Sequence, residues 1–464
     1  MSKEISVLLL NPPGTQNYLR DYYCSKTSKS DYTYTPVDFL YISAYLQEFC
    51  ELSFLDCVKE NIDADTLLKR LDSERPDAIV TLTGYVSWRE DFALFGRVKK
   101  QFPDVRLIGS GDILLGSNVD LLLKDSCLDA IIYDFSSNEI IDFILNKGKT
   151  FYDITFIDSN KKIIERKNKK NTKVEEIEIG VPPHDIFITK NYEYPFVLEK
   201  PFATVLTDYS CPYRCSFCIM SVLNFKYRSV NDVISELQYL FDKNINEIYF
   251  ADQTFGANKR IFRELLTEMI RRDFGFGWVC FTRVDVVNEE SIQLMKQAGC
   301  HTIIFGVEFG NDTNLEASQK DLVSSEIDKA IALCQKHGVR TVGTFLLGEP
   351  SQTVDDLKDL IDYSISLELD FASFNVYVPR TEDYLKSVNT LNGVPCFDQS
   401  GGYVKSFSPY ISDDELAEYM SVARRRFYLR PKYLMKRILG IKTITEGRIL
   451  AREGYHLAAG LIKQ

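Results

Sequence analysis

The amino-acid sequence contains two successive series of short apolar strands separated by helical stretches, and this alternation limits the fold more than any other feature. In the first series, runs such as ISVLLLN and DAIVTLT are each followed by a loop and a helix, and the last run ends at Asp134. Strands that alternate with helices at this spacing predict a parallel, doubly wound sheet with binding loops after the strand ends. We therefore predict a Rossmann-like α/β domain over residues 1–147.

The second series begins with FATVLTD at residue 202 and ends with DFASFNVYV. Its helices include EESIQLMKQAG and SSEIDKAIALCQKHG, which Gly299 and Gly338 close as C-caps. Six βα units with right-handed crossovers predict a partial (β/α)6 barrel of the TIM type over residues 201–384, with chemistry at the carboxyl ends of its strands. We expect the charge-rich residues 148–200 to form a linker and residues 385–464 to be mostly helical.

Composition excludes several classes of function. A formal net charge of −11 over 464 residues argues against a mainly electrostatic nucleic-acid binder. No apolar run reaches the length of a membrane helix, and eleven cysteines without a regular framework are typical of a reducing compartment. These features predict a soluble, cytoplasmic protein without a nucleic-acid partner.

One local segment is strongly basic: residues 424–442 hold eight basic residues and no acidic one. Such a segment holds an anionic substrate, touches a membrane surface, or packs as a helix against the acidic remainder. The last of these is the favoured interpretation.

Three cysteines, Cys211, Cys215 and Cys218, lie in the predicted loop after the first barrel strand, at the spacing C-x3-C-x2-C. Structural zinc sites take four ligands, usually as paired C-x2-C units, and no second such pair exists in the chain. A 4Fe–4S cluster binds cysteine thiolates at short spacings, and three ligands leave one iron open to a substrate or cofactor. A catalytic zinc with three thiolates and a chance grouping are the alternatives that the spacing leaves open.

This motif, with Phe217 before its last cysteine, resembles the signature of the radical S-adenosylmethionine (SAM) superfamily. The resemblance continues through IYFADQTF, WVCFTRVD, AGCHTIIFGVEFG and GTFLLGEPSQT, which occur in the family's order. It implies that the cysteines hold a 4Fe–4S cluster whose open iron binds SAM. One electron, from a donor such as flavodoxin or ferredoxin, then cleaves SAM to a 5′-deoxyadenosyl radical.

The resemblance also implies which barrel residues contact SAM. Glu308 is placed to accept hydrogen bonds from the ribose hydroxyls, and Arg283 to pair with the SAM carboxylate, although the two could instead pair with each other. The remaining predicted contacts are Phe217, Gln253, Gly348 and Glu349. Core packing for Phe217 and an ordinary turn for Gly348 are the alternatives.

The N-terminal domain is similar to that of the cobalamin-binding subclass, which has counterparts of LLLNPPG, TPVDFLYISAYL and LTGYVSW. The similarity implies cobalamin over the strand ends without a histidine ligand from this domain, because residues 1–150 contain no histidine. Two loops depart from the subclass pattern, at residues 109–112 and 133–139. The predicted contacts are Asn11, Pro12, Thr83, Gly84, Tyr85, Trp88, Gly109, Ser110 and Gly111, with Tyr85 or Trp88 either covering the lower cobalamin face or packing under a helix.

The resemblance therefore predicts a cobalamin-dependent radical SAM enzyme that methylates an unactivated carbon of a small molecule or natural-product precursor. Radical cyclisation or rearrangement without methyl donation is the first alternative. A non-catalytic metal-binding module is the second, but it leaves the barrel pattern unexplained. Tyr377, Arg380 and Tyr384, near the end of the sixth strand, are predicted to contact substrate or relay a proton, with ordinary packing as the alternative.

Overall fold

The computed structural model describes residues 5–20, 24–29, 32–115, 119–167, 174–380, 397–402 and 404–439, together with Gly447 and Gly454. The N-terminal part is a seven-stranded sheet in the order β4-β1-β5-β6-β7-β8-β9. Its first five strands in this order, β4, β1, β5, β6 and β7, run parallel. The strands up to the barrel are β1 (Ser6–Asn11), β2 (Tyr18–Leu19), β3 (Lys26–Thr27), β4 (Glu51–Asp56), β5 (Ala78–Leu82), β6 (Arg106–Ser110), β7 (Ala130–Ile132), β8 (Ile154–Ile157), β9 (Ile163–Ile164) and β10 (Glu175–Ile177).

Helices cover both faces of this sheet, which explains why its central strands are continuous apolar runs rather than alternating ones. Every residue of β5 is buried, for example. The helices are α1 (Val37–Leu46), α2 (Ala64–Glu74), α3 (Trp88–Gln101), α4 (Val119–Ser126), α5 (Glu139–Ile144) and α6 (Asp185–Ile188), with a 3-10 turn over Asp112–Leu115. The predicted doubly wound α/β class is confirmed.

The sheet continues beyond residue 147, where the sequence predicted a linker. Strand β8 pairs antiparallel with β7, and β9 pairs antiparallel with β8. Phe156 of β8 packs 5.4 Å from the Phe143 ring and 5.8 Å from the Phe151 ring. The prediction of a linker from residue 148 was wrong here, because the many lysines of the segment hide a short apolar hairpin.

The barrel part is a six-stranded parallel sheet in the order β11-β14-β15-β16-β17-β18. A smaller sheet, β10-β13-β12, lies beside the loop that follows β11. The strands are β11 (Phe202–Val205), β12 (Asp208–Tyr209), β13 (Lys226–Arg228), β14 (Glu247–Phe250), β15 (Gly277–Thr282), β16 (Cys300–Glu308), β17 (Arg340–Leu347) and β18 (Phe371–Val376). The helices are α7 (Val230–Asp242), α8 (Lys259–Arg272), α9 (Glu289–Gln297), α10 (Asp312–Ala317), α11 (Ser324–Lys336) and α12 (Val354–Ser366).

Alternation along each strand divides the side chains of the barrel between two environments. Phe281 and Ile304 line an internal cavity. Their neighbours Cys280 and Ile303 are fully buried in the outer core among the helices. The barrel interior is therefore available for a ligand, while the outer layer supplies the stability.

The two end strands, β11 and β18, do not pair with each other, and an N-terminal segment (residues 24–34, of which 24–29 and 32–34 are described) closes the seam between them. Thr33 forms a β-bridge with Glu193. Tyr34 packs edge-on against Tyr194, whose ring stacks 4.2 Å from Tyr249 of β14. The N-terminal part of the chain thus supplies one wall of the barrel.

Two further helices, α13 (Asp413–Tyr428) and α14 (Pro431–Leu439), contain the described portion of the basic segment except Leu429 and Arg430, which join them. Arg426, Lys432 and Lys436 form ion pairs with Asp362, Glu368 and Asp370. This is the packing against acidic residues that the sequence favoured. No helix in the described part of the chain is long and apolar enough to cross a membrane.

Candidate active site

A cavity of about 800 Å³ opens at the carboxyl ends of the barrel strands, where the N-terminal segment faces the barrel. Cys211, Cys215 and Cys218 line it, together with Glu308 at the end of β16 and Arg283 just after β15. The three cysteines and the two residues predicted as the main SAM contacts therefore lie around one cavity.

The cysteine loop is held in place by its backbone and by a neighbouring loop. The Ser216 amide donates to the Ser318 carbonyl at 2.9 Å, and the Cys218 amide donates to the Cys215 carbonyl at 3.0 Å. The Cys211 sulfur lies 3.3 Å from the Thr254 hydroxyl oxygen. The three thiols therefore stand on a braced turn rather than on a free loop.

Burial raises the pKa of all three thiols above the ordinary value. A metal that coordinates a thiol deprotonates it, so metal binding would offset this effect. Within the described residues no three His, Cys, Asp or Glu side chains converge on a single metal ion. A 4Fe–4S cluster does not need such convergence, because each thiolate binds a different iron. Three cysteine sulfurs on one short loop fit its preference for sulfur ligands.

Glu308 is directed into the site by an irregularity in its strand. The pairing of β16 with β17 shifts register between Gly306 and Glu308, and Glu308 adopts a left-handed backbone with φ of 66°. A Cβ at position 306 would lie 2.6 Å from the Glu308 Oε1 atom, so a larger residue there would displace this carboxylate from its present position. The same Oε1 accepts hydrogen bonds from Lys320 Nζ and Thr344 Oγ1, each at 3.4 Å.

These long contacts leave the Glu308 carboxylate able to accept stronger hydrogen bonds from a ligand. Burial raises its pKa, while Lys320 acts in the opposite direction. The sequence offered Arg283 as an alternative partner for Glu308, but Lys320 takes that position. Lys320 follows α10 without a motif of its own, so only the fold reveals it.

Arg283 is fixed by contacts on three sides. Its guanidinium donates to Asp285 at 3.0 and 3.1 Å and to the Lys320 carbonyl at 2.9 Å. It also lies 3.7 Å from the ring centroid of Tyr213, within the cysteine loop. Arg283 therefore braces that loop against β15, and it remains on the cavity wall where a carboxylate of SAM is predicted.

The segment after β14 contributes two residues to the site, of which the sequence singled out only one. Gln253, a predicted contact, lines the cavity. Beside it, buried Asp252 accepts hydrogen bonds from the amides of Thr207 at 2.6 Å and Asp208 at 2.9 Å. Asp252 thereby fixes the chain where it leaves β11 for the cysteine loop. Its position directly after a buried strand was the signal available in the sequence.

The predicted substrate contacts of the sixth strand are separated by the structure. Arg380 lines the cavity and joins three parts of the chain, since it donates to Gln399, to the Ser25 carbonyl and, through its amide, to the Phe217 carbonyl. Tyr377 is buried outside the cavity wall, 6.3 Å from the Phe217 ring. Tyr384 lies outside the described residues.

Three other predicted SAM contacts differ in their placement. Phe217 lines the cavity. Gly348 lies off the cavity wall and packs against α13 instead. A Cβ at this position would lie 2.6 Å from the Leu416 side chain, so the glycine allows the helix to approach closely. Glu349 also lies off the cavity wall, where its carboxylate accepts hydrogen bonds from the amide and hydroxyl of Ser351.

The predicted cobalamin contacts lie together at the strand ends of the N-terminal sheet but off the cavity wall. The Asn11 side chain donates to Asp56, and the Arg20 guanidinium donates to the Asn11 oxygen at 3.0 Å and to the Pro12 carbonyl at 2.7 Å. Asp91 receives the Arg20 guanidinium at 2.7 Å and the Thr83 hydroxyl at 2.9 Å. These polar groups therefore form hydrogen bonds with one another inside the domain.

The rest of this set is covered by Ser25 and by core side chains. Asp112 accepts from the Ser25 amide at 2.9 Å and from the Tyr85 amide at 3.0 Å, which places Ser25 directly against Gly84. The remaining four positions also face inward: Trp88 is buried beside Phe92, Gly109 packs on Leu114 and Leu128, Ser110 donates to Asp38, and Gly111 lies on the Thr83 carbonyl.

Residues 207–364, which contain the cysteine loop, Arg283, Glu308 and Lys320, match the radical SAM superfamily model. The chain therefore contains a radical SAM domain. The whole chain is 25% identical over 417 residues to an uncharacterized methyltransferase of Pyrococcus horikoshii, covering 87% of this chain and 90% of the relative. It is 21% identical to the anaerobic magnesium-protoporphyrin IX monomethyl ester cyclase of Rubrivivax gelatinosus, covering 85% and 74%.

A solved structure shares the architecture of this chain over its whole length. It is the radical SAM methyltransferase TsrM of Kitasatospora setae with cobalamin and a [4Fe-4S] cluster bound, and it matches with a TM-score of 0.67 and 15% identity over 100% of both chains. At this identity the match shows a common fold, in which a doubly wound domain precedes the barrel.

Proposed function

We propose that this radical SAM enzyme is cobalamin-dependent and methylates a carbon of a small molecule. The observation that supports the radical step is one cavity that carries three cysteines of a braced loop and the Glu308 carboxylate together. Methyl transfer is supported by the Pyrococcus horikoshii methyltransferase, which aligns over most of both chains. A flavodoxin or ferredoxin is the proposed electron donor.

The residues of the cavity divide the work of binding. Cys211, Cys215 and Cys218 would hold the cluster, which supplies the electron that cleaves SAM. Glu308 would accept hydrogen bonds from the ribose hydroxyls, and Arg283 would hold the SAM carboxylate. A cavity of about 800 Å³ lies within the range of small-molecule sites.

Cobalamin is proposed from the architecture shared with TsrM, but the strand-end residues do not offer it an open surface in this structure. Arg20 and Ser25 cover the positions where a corrin ring is predicted, held by Asp91 and Asp112. Cobalamin over these strand ends therefore requires both side chains to leave their carboxylates. No histidine precedes His184, which is buried against Glu236 at 2.7 Å.

Protein purified with cobalamin supplied is expected to carry about one cobalt per chain, with the base-off spectrum of a cobalamin without an imidazole ligand. The Ser25 and Tyr85 amides should exchange their hydrogens faster in cobalamin-loaded protein than in cobalamin-free protein, because both amides donate to Asp112 in the structure. Thr83, whose amide donates to Ser110 within the sheet, is the internal reference. Absence of cobalt would remove cobalamin from the proposal and leave the radical SAM chemistry in place.

Radical cyclisation or rearrangement remains the second candidate, because the aligned Rubrivivax gelatinosus relative is a cyclase. SAM labelled in its methyl group distinguishes the two functions. Label in the product supports methylation, and turnover without label in the product supports the second candidate.

Replacing Glu308 by alanine is expected to weaken SAM binding by about 1–3 kcal/mol, since the ribose hydroxyls would lose a buried acceptor. Equilibrium binding of SAM to the cluster-loaded protein measures this effect. Glu349→Ala is the matched control, because that carboxylate lies off the cavity wall. Equal losses in both variants would contradict the placement of SAM at Glu308.

A further inference from the structure

One wall of the cavity carries a group of cations that the radical chemistry does not use. Lys26 and Lys29 come from the N-terminal segment, and Arg424 comes from α13. All three line the same cavity as the cysteines, and the pKa of Lys29 is lowered first by its burial and then by the nearby charges of Arg424 and Lys26. Like charges in one partly buried place are unfavourable unless an anion joins them.

Lys29 is the central member of this group. Its ammonium donates to the Phe374 carbonyl at 2.5 Å, the Asn375 side-chain oxygen at 2.7 Å and the Ser373 hydroxyl at 3.3 Å. All three acceptors are neutral, and they belong to β18, the last strand of the barrel. These contacts hold the Lys29 Nζ atom at the cavity wall, and none of them supplies a negative charge.

The carboxylates nearby are engaged elsewhere. In the described part of the cavity wall, Glu193 pairs with Lys200, Asp252 binds backbone amides, and Glu308 pairs with Lys320. Asp398, which also influences Lys29, accepts from the amides of Thr27, Ser400 and Gly402. Among the described residues, Lys29 itself therefore forms no ion pair with a carboxylate of this wall.

Aromatic side chains lie next to these cations. Six of them line the cavity near the seam between β11 and β18 and are called the seam aromatics: Tyr32, Tyr34, Tyr194, Phe196, Tyr249 and Phe371. Tyr194 meets Tyr32 edge-on at 5.8 Å, and Phe196 meets Phe371 edge-on at 5.4 Å. Such a surface binds an apolar or aromatic body.

We infer that the substrate is an amphipathic organic anion, whose carboxylate or phosphate binds Lys29 with Lys26 and Arg424 beside it, and whose apolar or aromatic body lies on the seam aromatics. The inference rests on the proposed function, because it names the substrate class of the same cavity. The cations come from the N-terminal segment and from α13, so recognition of the anion joins both parts to the barrel.

Calorimetric titration of the cluster-loaded, SAM-bound protein with three matched probes tests this. The probes are 1-naphthoate, 1-naphthyl phosphate and neutral 1-naphthalenemethanol. At least one anion should bind about tenfold or more tightly than the alcohol, as a charge-assisted hydrogen bond provides. The tighter of the two anions then distinguishes a carboxylate from a phosphate substrate.

Variants assign the selectivity to Lys29. Lys29→Met should bind the anions no better than the alcohol, whereas Lys29→Arg should keep the preference. Lys358→Met, at an exposed lysine paired with Asp355 outside the cavity, should match the wild type. Iron content shows that each variant is folded around its cluster.

Two results would overturn the inference: wild-type protein that binds all three probes equally, or Lys29→Met that retains the preference for anions. Either leaves the proposed function intact if the wild type still cleaves SAM. Failure of the wild type to cleave SAM contradicts the proposed function whatever the probes do.

Discussion

Replacing Cys211, Cys215 and Cys218 together by alanine will reduce the iron of anaerobically reconstituted protein from about four atoms per chain to a trace, because no other described group of ligands replaces the lost thiolates. The brown absorbance of the cluster will disappear with the iron. Iron analysis and the visible spectrum measure both changes. Iron retained by the triple variant would place the metal elsewhere.

Cys24→Ala is the most informative control, since Cys24 lines the same cavity but lies in the N-terminal segment. Its thiol donates to the Gln399 side-chain oxygen at 2.5 Å and is therefore engaged away from the cluster loop, so the variant should keep its iron. Loss of iron in Cys24→Ala would mean that the cluster has a fourth protein ligand and no open iron for SAM. That result would contradict the site described above.

Replacing Arg228 by methionine will cost about 3–5 kcal/mol of stability, because it leaves two buried carboxylates without their partner. Arg228 forms ion pairs with Asp232 and Glu236, and all three side chains are at most 7% exposed. Burial disfavours its charged form, but Glu236 and Asp232 outweigh this and raise the pKa of Arg228. It also donates to the Leu206 carbonyl at 2.9 Å, just before the cysteine loop.

The urea midpoint of unfolding, followed by circular dichroism, measures this loss. Arg260→Met is the matched control, because Arg260 pairs with Glu264 on the exposed face of α8 and its removal should leave the midpoint unchanged. Equal midpoints for the two variants would show that the buried network does not stabilise this part of the fold. Iron content should fall in Arg228→Met only as far as the protein unfolds.

The sequence could bring Cys211, Cys215 and Cys218 together because they lie within eight residues of one another. The strands were equally readable, since each buried strand is a continuous apolar run followed by a turn. Lys320 and Lys29 could not be found in this way. Each reaches the cavity from a segment without a motif, and only the tertiary fold brings it beside Glu308 or β18.

The N-terminal strand ends show the opposite case. The sequence grouped Thr83, Gly84 and Gly109 correctly at one edge of the sheet, because parallel strands end together. It did not predict that Arg20 and Ser25 would cover that edge, since their partners Asp91 and Asp112 are about 70 and 90 residues away in the chain. The small residues there serve close packing in this structure, so their role toward cobalamin stays a prediction.

Reductive cleavage of SAM tests the central claim most directly. Cluster-loaded protein incubated with SAM and dithionite under anaerobic conditions should release 5′-deoxyadenosine, measured by liquid chromatography and mass spectrometry. The Cys211, Cys215 and Cys218 triple variant should release none, and wild-type protein without reductant should release none. Reductant-dependent 5′-deoxyadenosine from the triple variant, or none from iron-replete wild-type protein, would contradict the account.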